Sequence, residues 1–431
     1  MTNGGNVGTG GVVVVLPPDT SVPTQPWDWS GVIGSGQSLA VGEQGKPPVS
    51  TEQPYNNLKL STGALPWPVD ATSDTLTMVP LIEPIGRLAS GYPSSWPTNI
   101  AGETPHTAMG SQVTAMVKVA NGVDYVGVHS EFGENGQCLN FLVKGAVETK
   151  DNGRAYAATL IETRAIMRLA EAAGKSYGVG AFIMTHGECD AGNAAYEAEL
   201  YQLLSDYNTD IAAITGQTQR IQLIVSQQNS TGANALSAQA QWQIGVNHPT
   251  EAVCSGPKYH LPYAIDGIHL TAEGYRQLGE KYGQVYYERV VQGRSWQPLY
   301  PTGAERSGQV ITVHYHVPVP PLTWETAFSA PMPNSPQWKT GKGFEVRTSA
   351  ARITIGSVEI VGDAVQITCV DPLPATGVML GYAMIGTSAP MTVPHPGTTH
   401  WGLLRDSDPF VGSVTGKAQP NYAVAFYMDV P

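Results

Sequence analysis

Short apolar runs and helix-like segments alternate along residues 29–296, and no other feature of the sequence limits the fold as strongly. Strand-like runs of the buried type occupy residues 123–129, 179–185 and 220–226. Helical periodicity occupies residues 154–173, 193–215 and 271–290, and Thr104 before Pro105 predicts another helix that runs toward Asn121. Strands that are separated by helices pair in parallel, so the sequence predicts an α/β domain with a doubly wound parallel sheet.

The pattern changes near residue 297. Short β-rich runs with turn residues between them then replace the helical periodicity, at residues 309–317, 352–360, 364–370, 377–385 and 423–430. We therefore expect a C-terminal β-sandwich domain over residues 297–431, behind a first domain over residues 29–296. Residues 1–28, rich in glycine and then in proline, are expected to form an N-terminal arm. A chain of 431 residues has ample length for such an arrangement.

Charge excludes two classes of partner. The formal net charge is −12, and only 13% of the residues are charged. Binding to nucleic acid or to an anionic membrane surface needs clustered cations, so neither partner is expected. The sequence has no run of about 20 apolar residues and no Lys/Arg-led start, so we predict no membrane span and no signal peptide and leave the location open, with extracellular and virion-associated sites both compatible.

The four cysteines, Cys138, Cys189, Cys254 and Cys369, are far apart in the sequence and form no C-x-x-C pair. This spacing is typical neither of a disulfide scaffold nor of a zinc ribbon. We expect most of them to be buried thiols.

Three polar segments lie at or just after predicted strands, where ligands bind in doubly wound sheets. They are residues 34–39 (GSGQSL), 185–190 (THGECD) and 266–269 (DGIH). Taken singly, each has a plain structural explanation: a glycine-rich turn, a loop fixed by its own hydrogen bonds, and a surface turn. A metal site within residues 186–190 is disfavoured because adjacent residues rarely converge on one ion. A zinc deaminase would need a later P-C-x-x-C, which the chain lacks.

Together and in this order, the segments resemble the conserved blocks of the SGNH (GDSL-like) hydrolase superfamily. More narrowly, they resemble its sialate O-acetylesterase-like and acetylxylan-esterase-like branch. Residues 36–38 (GQS) match the first block of that branch, residues 186–190 (HGECD) its Q-G-E-x-D third block, and residues 266–269 its last block, D-x-x-H. The likeness covers about residues 30–290 and implies a flavodoxin-like sheet.

The resemblance implies Ser38 as nucleophile, His269 as base and Asp266 as the carboxylate that orients it. Ser35 is a rival nucleophile that the G-Q-S match disfavours. The implied oxyanion hole consists of the Ser38 N–H, a glycine N–H of the second block and a side chain of the third block.

We assign the glycine to Gly136, with Gly133 as second choice. The third-block donor is assigned to His186, where the family has glutamine or asparagine; Cys189, in another alignment, is a weak donor. We expect Gln37, Glu188 and Gln227 to contact the substrate.

The resemblance therefore implies a serine esterase that removes small acyl groups, acetyl above all, from carbohydrates through an acyl-enzyme. It needs no metal or cofactor. A lipase-type hydrolase is a second enzymatic alternative. The non-enzymatic alternative is a glycan-binding or attachment protein with a non-catalytic hydrolase-like fold. The sequence leaves the oligomeric state open.

Two roles are open for the β-rich part. It can bind carbohydrate through exposed Trp324, Trp338 and Trp401, or it can cap and stabilise the first domain, which we favour slightly. A calcium site at Asp406 and Asp408 is a minor alternative.

Overall fold

The computed structural model describes residues 26–61, 70–85, 102–146, 154–228, 235–327, 340–384 and 401–431. Most of the expected N-terminal arm lies outside these residues. No helix among them is long and apolar enough to cross a membrane.

The first part of the chain forms a seven-stranded, mostly parallel sheet. Its strands are β1 (Trp29–Gly36), β2 (Leu58–Leu60), β3 (Met78–Pro80), β4 (Gly127–Glu131), β5 (Tyr177–Thr185), β6 (Gln222–Gln227) and β7 (Ala252–Pro257). They lie in the order β3-β2-β4-β1-β5-β6-β7, and only the pairing of β2 with β3 is antiparallel. The five strands β4-β1-β5-β6-β7 thus have the spatial order 2-1-3-4-5 of a doubly wound sheet.

Helices connect these strands. They are α1 (Pro105–Asn121), α2 (Leu139–Leu142), α3 (Arg154–Ala172), α4 (Tyr196–Thr215), α5 (Leu236–Asn247) and α6 (Ala272–Tyr286), which continues into a π-helical turn, Tyr287–Val291. The side chains of Thr104 and Thr271 cap α1 and α6 by accepting a hydrogen bond from an N–H of the first turn. Both predicted helix starts are confirmed.

Both faces of the sheet are buried. Neighbouring residues of β1 belong to different apolar clusters: Val32 to the cluster that includes side chains of α1 and α6, and Ile33 to the cluster that includes side chains of α3, α4 and α5. A strand that is buried on both faces reads as a continuous apolar run, and the predicted runs at residues 123–129, 179–185 and 220–226 overlap β4, β5 and β6. The strands β2, β3 and β7 were not predicted from the sequence. The expected α/β part with a mostly parallel sheet is confirmed.

The second part of the chain is β-rich and antiparallel. Its strands are β8 (Tyr300–Ser307), β9 (Val310–His316), β10 (Thr323–Trp324), β11 (Phe344–Arg347), β12 (Arg352–Ile353), β13 (Ile355–Val361), β14 (Ala364–Cys369), β15 (Val378–Tyr382), β16 (Leu404–Arg405) and β17 (Phe426–Val430). Two four-stranded sheets have the orders β12-β11-β15-β17 and β13-β14-β9-β8. A ring contact between Tyr315 and Phe426 joins the two sheets.

Polar contacts attach the β-rich part to α6. Glu280 of α6 accepts four hydrogen bonds of 2.6–2.7 Å from residues 414–419.

Asp406 is hydrogen-bonded within the β-rich part itself. It accepts bonds from the backbone N–H groups of Val319, Asp408 and Asn421 and from the Asn421 side chain. Both oxygens of the Asp406 carboxylate therefore already accept hydrogen bonds from protein groups, and this arrangement does not favour a calcium site at Asp406 and Asp408.

Of the three tryptophans that were candidates for carbohydrate binding, the two in the described part of the chain are not exposed. Trp401 is fully buried. Trp324 is partly buried, and the Lys342 ammonium lies 4.2 Å from its ring centre. Trp338 lies outside the described residues. These positions favour the capping role for this part of the chain.

Candidate active site

Ser38 lies directly after β1, at the carboxyl edge of the parallel sheet. Gly36 ends the strand with φ +146°, and a Cβ at this position would lie 2.1 Å from the Thr185 carbonyl oxygen of β5. Only glycine allows β1 to approach β5 so closely before the chain turns toward Ser38. The rival Ser35 is inside β1, and its buried Oγ has no hydrogen-bond partner among the described residues. Ser35 is 1% exposed and Ser38 is 4% exposed, so the two serines differ in position rather than in exposure: Ser35 is part of the strand, and Ser38 lies in the loop beyond its end.

His269 and Asp266 form a hydrogen-bonded pair in the loop between β7 and α6. His269 Nδ1 lies 2.6 Å from Asp266 Oδ2. The other oxygen, Oδ1, accepts the backbone N–H groups of Ile268 and His269 at 3.0 Å each. The carboxylate is thus held by its own turn and aimed at the imidazole, which leaves Nε2 as the ring nitrogen that can act on another group.

The pKa of Asp266 lies below its usual value. Burial alone would raise this pKa, but the hydrogen bonds from the His269 side chain and from the two backbone N–H groups outweigh burial. Asp266 therefore stays ionised at neutral pH, as a carboxylate must if it is to stabilise an imidazolium.

The loop after Ser38 contacts both neighbouring loops through Glu43. The Glu43 N–H donates to the Ser38 carbonyl oxygen at 3.0 Å, and the Glu43 carbonyl oxygen accepts from the Tyr275 hydroxyl of α6 at 2.7 Å. Its carboxylate accepts from the Asn135 side chain at 3.3 Å. The nucleophile loop, the start of α6 and the segment after β4 therefore meet at one edge of the sheet.

Ser38 and His269 are not hydrogen-bonded to each other. Within the described part of the chain, neither Ser38 Oγ nor His269 Nε2 has a hydrogen-bond partner. Catalytic contacts of this kind are often long without substrate and tighten when it binds. The complete triad thus stays a prediction, while its His–Asp half is formed.

The second-block loop, residues 133–139, follows β4. The Gly133 N–H already donates to Glu131 Oε1 at 2.5 Å, so it is not free for a substrate oxygen. Gly136 is exposed, has φ +74°, and lies in a turn closed by the bond from Gln137 N–H to the Glu134 carbonyl oxygen. Its own N–H has no partner among the described residues. Gly136 is therefore the better of the two glycine candidates.

His186 faces the interior of the protein. Its Nε2 lies 3.0 Å from the Gln137 carbonyl oxygen, which can only accept, so Nε2 carries the proton. Burial lowers the pKa of His186, so the ring is neutral and Nδ1 accepts from the Tyr196 hydroxyl at 2.9 Å. No N–H of His186 is left for an oxyanion. The assignment of His186 as oxyanion donor does not fit this geometry, and we do not keep it.

The other third-block side chains, in the loop of residues 186–190, are also engaged with protein groups. Glu188 Oε1 pairs with the buried Lys258 Nζ at 3.3 Å. Asp190 Oδ2 accepts the Leu139 N–H at 2.8 Å. Glu188 is only 7% exposed, and its carboxylate is paired with Lys258. Both observations disfavour direct contact between Glu188 and substrate, which stays a prediction.

The side-chain amide of Gln37 has one paired and one unpaired end in the described part of the chain. Its Oε1 accepts the Cys189 N–H at 3.2 Å, and its Nε2 has no partner among the described residues. The predicted contact between Gln37 and substrate is compatible with this arrangement.

Gln227 lies in the buried junction with the β-rich part. It is 0% exposed, and its amide bonds with the backbone of Ala425 and of Ala238. A substrate cannot reach it, so the prediction that Gln227 binds substrate does not fit the structure.

The sequence expectation for the cysteines needs a correction. Cys138 and Cys189 form a disulfide with a Cα–Cα distance of 5.0 Å, which links the second-block loop to the third-block loop. Cys254 and Cys369 are buried thiols, as expected.

A buried polar network beneath β1 escaped the sequence analysis. His106 Nε2 of α1 lies 2.9 Å from Glu131 Oε2, and His106 Nδ1 lies 3.2 Å from His129 Nδ1. Burial, with the nearby His106, holds the pKa of His129 well below its usual value. A Cβ on Gly34 would lie 2.1 Å from Glu131 Oε2, so this glycine makes room for the network. Glu131 in turn holds Gly133 and so fixes the start of the second-block loop.

In the described ranges, no group of three or more His, Cys, Asp or Glu side chains is arranged to hold a metal ion. No protein-family model and no curated protein sequence matches the chain.

Comparison with solved structures finds eight matching chains, among them the following three. A carbohydrate acetylesterase from Xanthomonas citri matches with a TM-score of 0.55 and 12% identity, over 93% of this chain and 80% of that one. A protein from Arabidopsis thaliana matches with a TM-score of 0.45 and 17% identity, over 62% and 100% of the two chains. A carbohydrate acetylesterase from Sinorhizobium meliloti matches with a TM-score of 0.32 and 13% identity, over 61% and 98%. We base nothing on the two lower-scoring matches. The first match shows that this chain shares its fold with that protein.

Proposed function

We propose that this chain is a serine esterase that removes small acyl groups, acetyl above all, from carbohydrates. The observation that carries the proposal is the His269–Asp266 pair, with its ionised carboxylate, at the sheet edge that also presents Ser38. In this proposal residues 29–296 are the catalytic domain and residues 297–431 an accessory domain. The fold shared with an acetylesterase, and the motifs that resemble the sialate O-acetylesterase-like branch, support the choice of substrate.

The reaction begins when Ser38 Oγ attacks the ester carbonyl while His269 Nε2 accepts the hydroxyl proton. The charge that develops on the carbonyl oxygen is stabilised by the backbone N–H groups of Ser38 and Gly136. The intermediate collapses, and the sugar oxygen leaves with the proton from His269. Water, deprotonated by His269, then attacks the acyl-enzyme, and carboxylate and free Ser38 are released. Asp266 holds the imidazole and stabilises its charged form throughout.

In this proposal the substrate binds between the loop that follows Ser38, the start of α6 and the segment after β4, which Glu43 connects. Gln37 Nε2 is the free amide nearest in sequence to the nucleophile, and it donates a hydrogen bond to the bound ester or sugar. Because the proposed site contains no metal, chelators leave activity intact.

The test compares the wild type with Ser38→Ala on p-nitrophenyl acetate and on an acetylated sugar. We expect kcat to fall by about 10⁴-fold or more, because the nucleophile is lost. Ser35→Ala is the matched control and retains activity. Equal turnover of Ser38→Ala and wild type would remove Ser38 from the mechanism.

Substrate class has a separate test. A series of p-nitrophenyl esters of increasing chain length should show highest kcat/KM for acetate, and a preference for long acyl chains would indicate a lipase-type enzyme. A wild type that binds acetylated glycans but hydrolyses none of these esters would favour the attachment alternative.

A further inference from the structure

The third-block loop is built to hold another loop. Its backbone is anchored from below by α5: Gln241 Nε2 donates to the His186 carbonyl oxygen, and Ser237 Oγ donates to the Gly187 carbonyl oxygen, both at 2.6 Å. The buried Glu188–Lys258 pair fixes the loop from the side of β7. Residues 186–190 therefore form a rigid base.

Three side chains of this base bind three consecutive residues of the second-block loop, two through hydrogen bonds and one through a disulfide. His186 Nε2 donates to the Gln137 carbonyl oxygen at 3.0 Å. Cys189 is bonded to Cys138. Asp190 Oδ2 accepts the Leu139 N–H at 2.8 Å. The residues bound in this way, 137–139, are the three that follow Gly136.

The other end of the same loop is also fixed, because Glu131 accepts the Gly133 N–H. Gly136 thus lies in a short turn with both ends held and with its own N–H unpaired among the described residues. The base also contacts the nucleophile loop, since the Cys189 N–H donates to Gln37 Oε1. A donor that is fixed before substrate arrives needs no reorganisation during the reaction.

We propose that the Cys138–Cys189 disulfide, His186 and Asp190 are positioning residues that hold the Gly136 N–H toward the carbonyl attacked by Ser38. The inference rests on the proposed esterase function. It gives the third block the task of orienting a backbone donor instead of supplying a side-chain donor. Turnover therefore depends on the disulfide, although no atom of it touches substrate.

The first test is reduction of the full chain with dithiothreitol. The reductant's two thiols become its cyclic disulfide, and Cys138 and Cys189 become two thiols, so atoms and electrons balance. The exposed position of Cys189 gives the reductant access. We expect kcat to fall by about 10-fold to 100-fold with KM changed by less than about threefold, because a misplaced donor weakens only the transition state.

The Cys138→Ser/Cys189→Ser variant should match the reduced wild type and respond no further to dithiothreitol. Cys369→Ala, in β14 of the β-rich part, is the control that keeps full activity and full sensitivity to reduction. Thermal unfolding of every sample confirms that the proteins are folded at the assay temperature.

Asp190 provides a test without redox chemistry. Asp190→Ala leaves the Leu139 N–H without its acceptor, so kcat should fall about 10-fold at similar KM. Asp190→Asn keeps one acceptor oxygen and should restore most of kcat. A purely structural role would lower the unfolding temperature without this split between kcat and KM.

A measurement independent of activity completes the design. Hydrogen exchange at the Gln137 and Leu139 amides, both hydrogen-bonded here, should accelerate on reduction while β5 stays protected. Unchanged exchange in this loop, or unchanged kcat in the reduced enzyme, overturns the positioning role. An oxidised wild type without esterase activity, or an active Ser38→Ala variant, instead refutes the proposed function, and the exchange result still decides whether the disulfide holds the loop.

Discussion

The side chain of Gln227 and the backbone of Ala425 form a closed pair of hydrogen bonds across 198 residues of sequence. Gln227 Nε2 donates to the Ala425 carbonyl oxygen at 2.6 Å, and Gln227 Oε1 accepts the Ala425 N–H at 2.7 Å. Gln239 of α5 makes the same pair with Tyr427 at 3.2 Å. Two glutamines of the α/β part thus pair with Ala425, directly before β17, and with Tyr427, inside β17, much as a neighbouring strand would.

Replacing Gln227 by alanine should destabilise the protein and leave its chemistry intact. The buried N–H and carbonyl groups of Ala425 would lose their partners, at a cost of about 2–4 kcal/mol in the free energy of unfolding. Urea denaturation measures this cost, with the exposed Gln202→Ala as control. A rise in KM for Gln227→Ala without a loss of stability would restore Gln227 as a substrate ligand.

Asp266→Asn should keep the fold and lose turnover. Asparagine can preserve the turn but not the charge, and it favours the wrong tautomer of His269, so we expect kcat to fall by about 10³–10⁴-fold. Steady-state kinetics at pH 8 give the answer, and Asp429→Asn, on the exposed side of β17, is the matched control. A loss below about tenfold would mean that His269 needs no carboxylate partner.

Lys258 and Glu188 should be strongly coupled in stability. Lys258→Met leaves the buried Glu188 carboxylate without its cation, and breaking a buried pair in this way costs about 3–5 kcal/mol. Lys258→Met/Glu188→Gln removes the remaining charge and should recover most of the loss. Urea unfolding of the wild type, of Lys258→Met, of Glu188→Gln and of the double variant completes the double-mutant cycle. Additive effects of the two substitutions on the free energy of unfolding would show that the pair is not coupled.

Glu83 should make the protein less stable as the pH rises. Burial, with the nearby Glu103 charge, raises its pKa from 4.5 to about 7, although hydrogen bonds from Thr104, Ile85 and Thr107 oppose the rise. A folded-state pKa above the unfolded one means that the contribution is full below pH 4.5 and is lost as the pH rises through about 7. The loss amounts to about 3 kcal/mol.

The measurement compares the free energy of unfolding of wild type and Glu83→Gln at pH 5 and pH 8. Because glutamine does not titrate, the wild type should lose this stability relative to the variant over that interval. Parallel pH profiles would show that Glu83 ionises without penalty.

Features that depend on near neighbours could be predicted from the sequence. Asp266 and His269 are three residues apart and share one turn, and Thr104 and Thr271 cap helices through bonds to their own first turns. The central strands β4, β5 and β6 could be predicted because both of their faces are buried, whereas β2, β3 and β7 were missed. In each case the physical partner lies within a few residues or in the composition of the segment itself.

Features that depend on distant partners could not be predicted. The cysteines of the disulfide are 51 residues apart, and the His106–Glu131 contact joins α1 to β4 across 25 residues. Gln227 follows the pattern of a polar residue at a strand end, where ligands bind, and only the packing of the segment that leads into β17 shows what it contacts. Polarity at a strand end does not distinguish a group that faces solvent from one that faces another part of the chain.

The inward orientation of His186 also affects how related chains can be recognised. The acceptor that it satisfies is a backbone carbonyl, and the amide of glutamine or asparagine is chemically able to satisfy the same oxygen. A histidine, glutamine or asparagine at this place could therefore hold the Gln137 carbonyl oxygen by the same kind of bond. A homology search that demands one amino acid there would discard chains like this one, whereas a search for a proton donor of suitable reach would retain them.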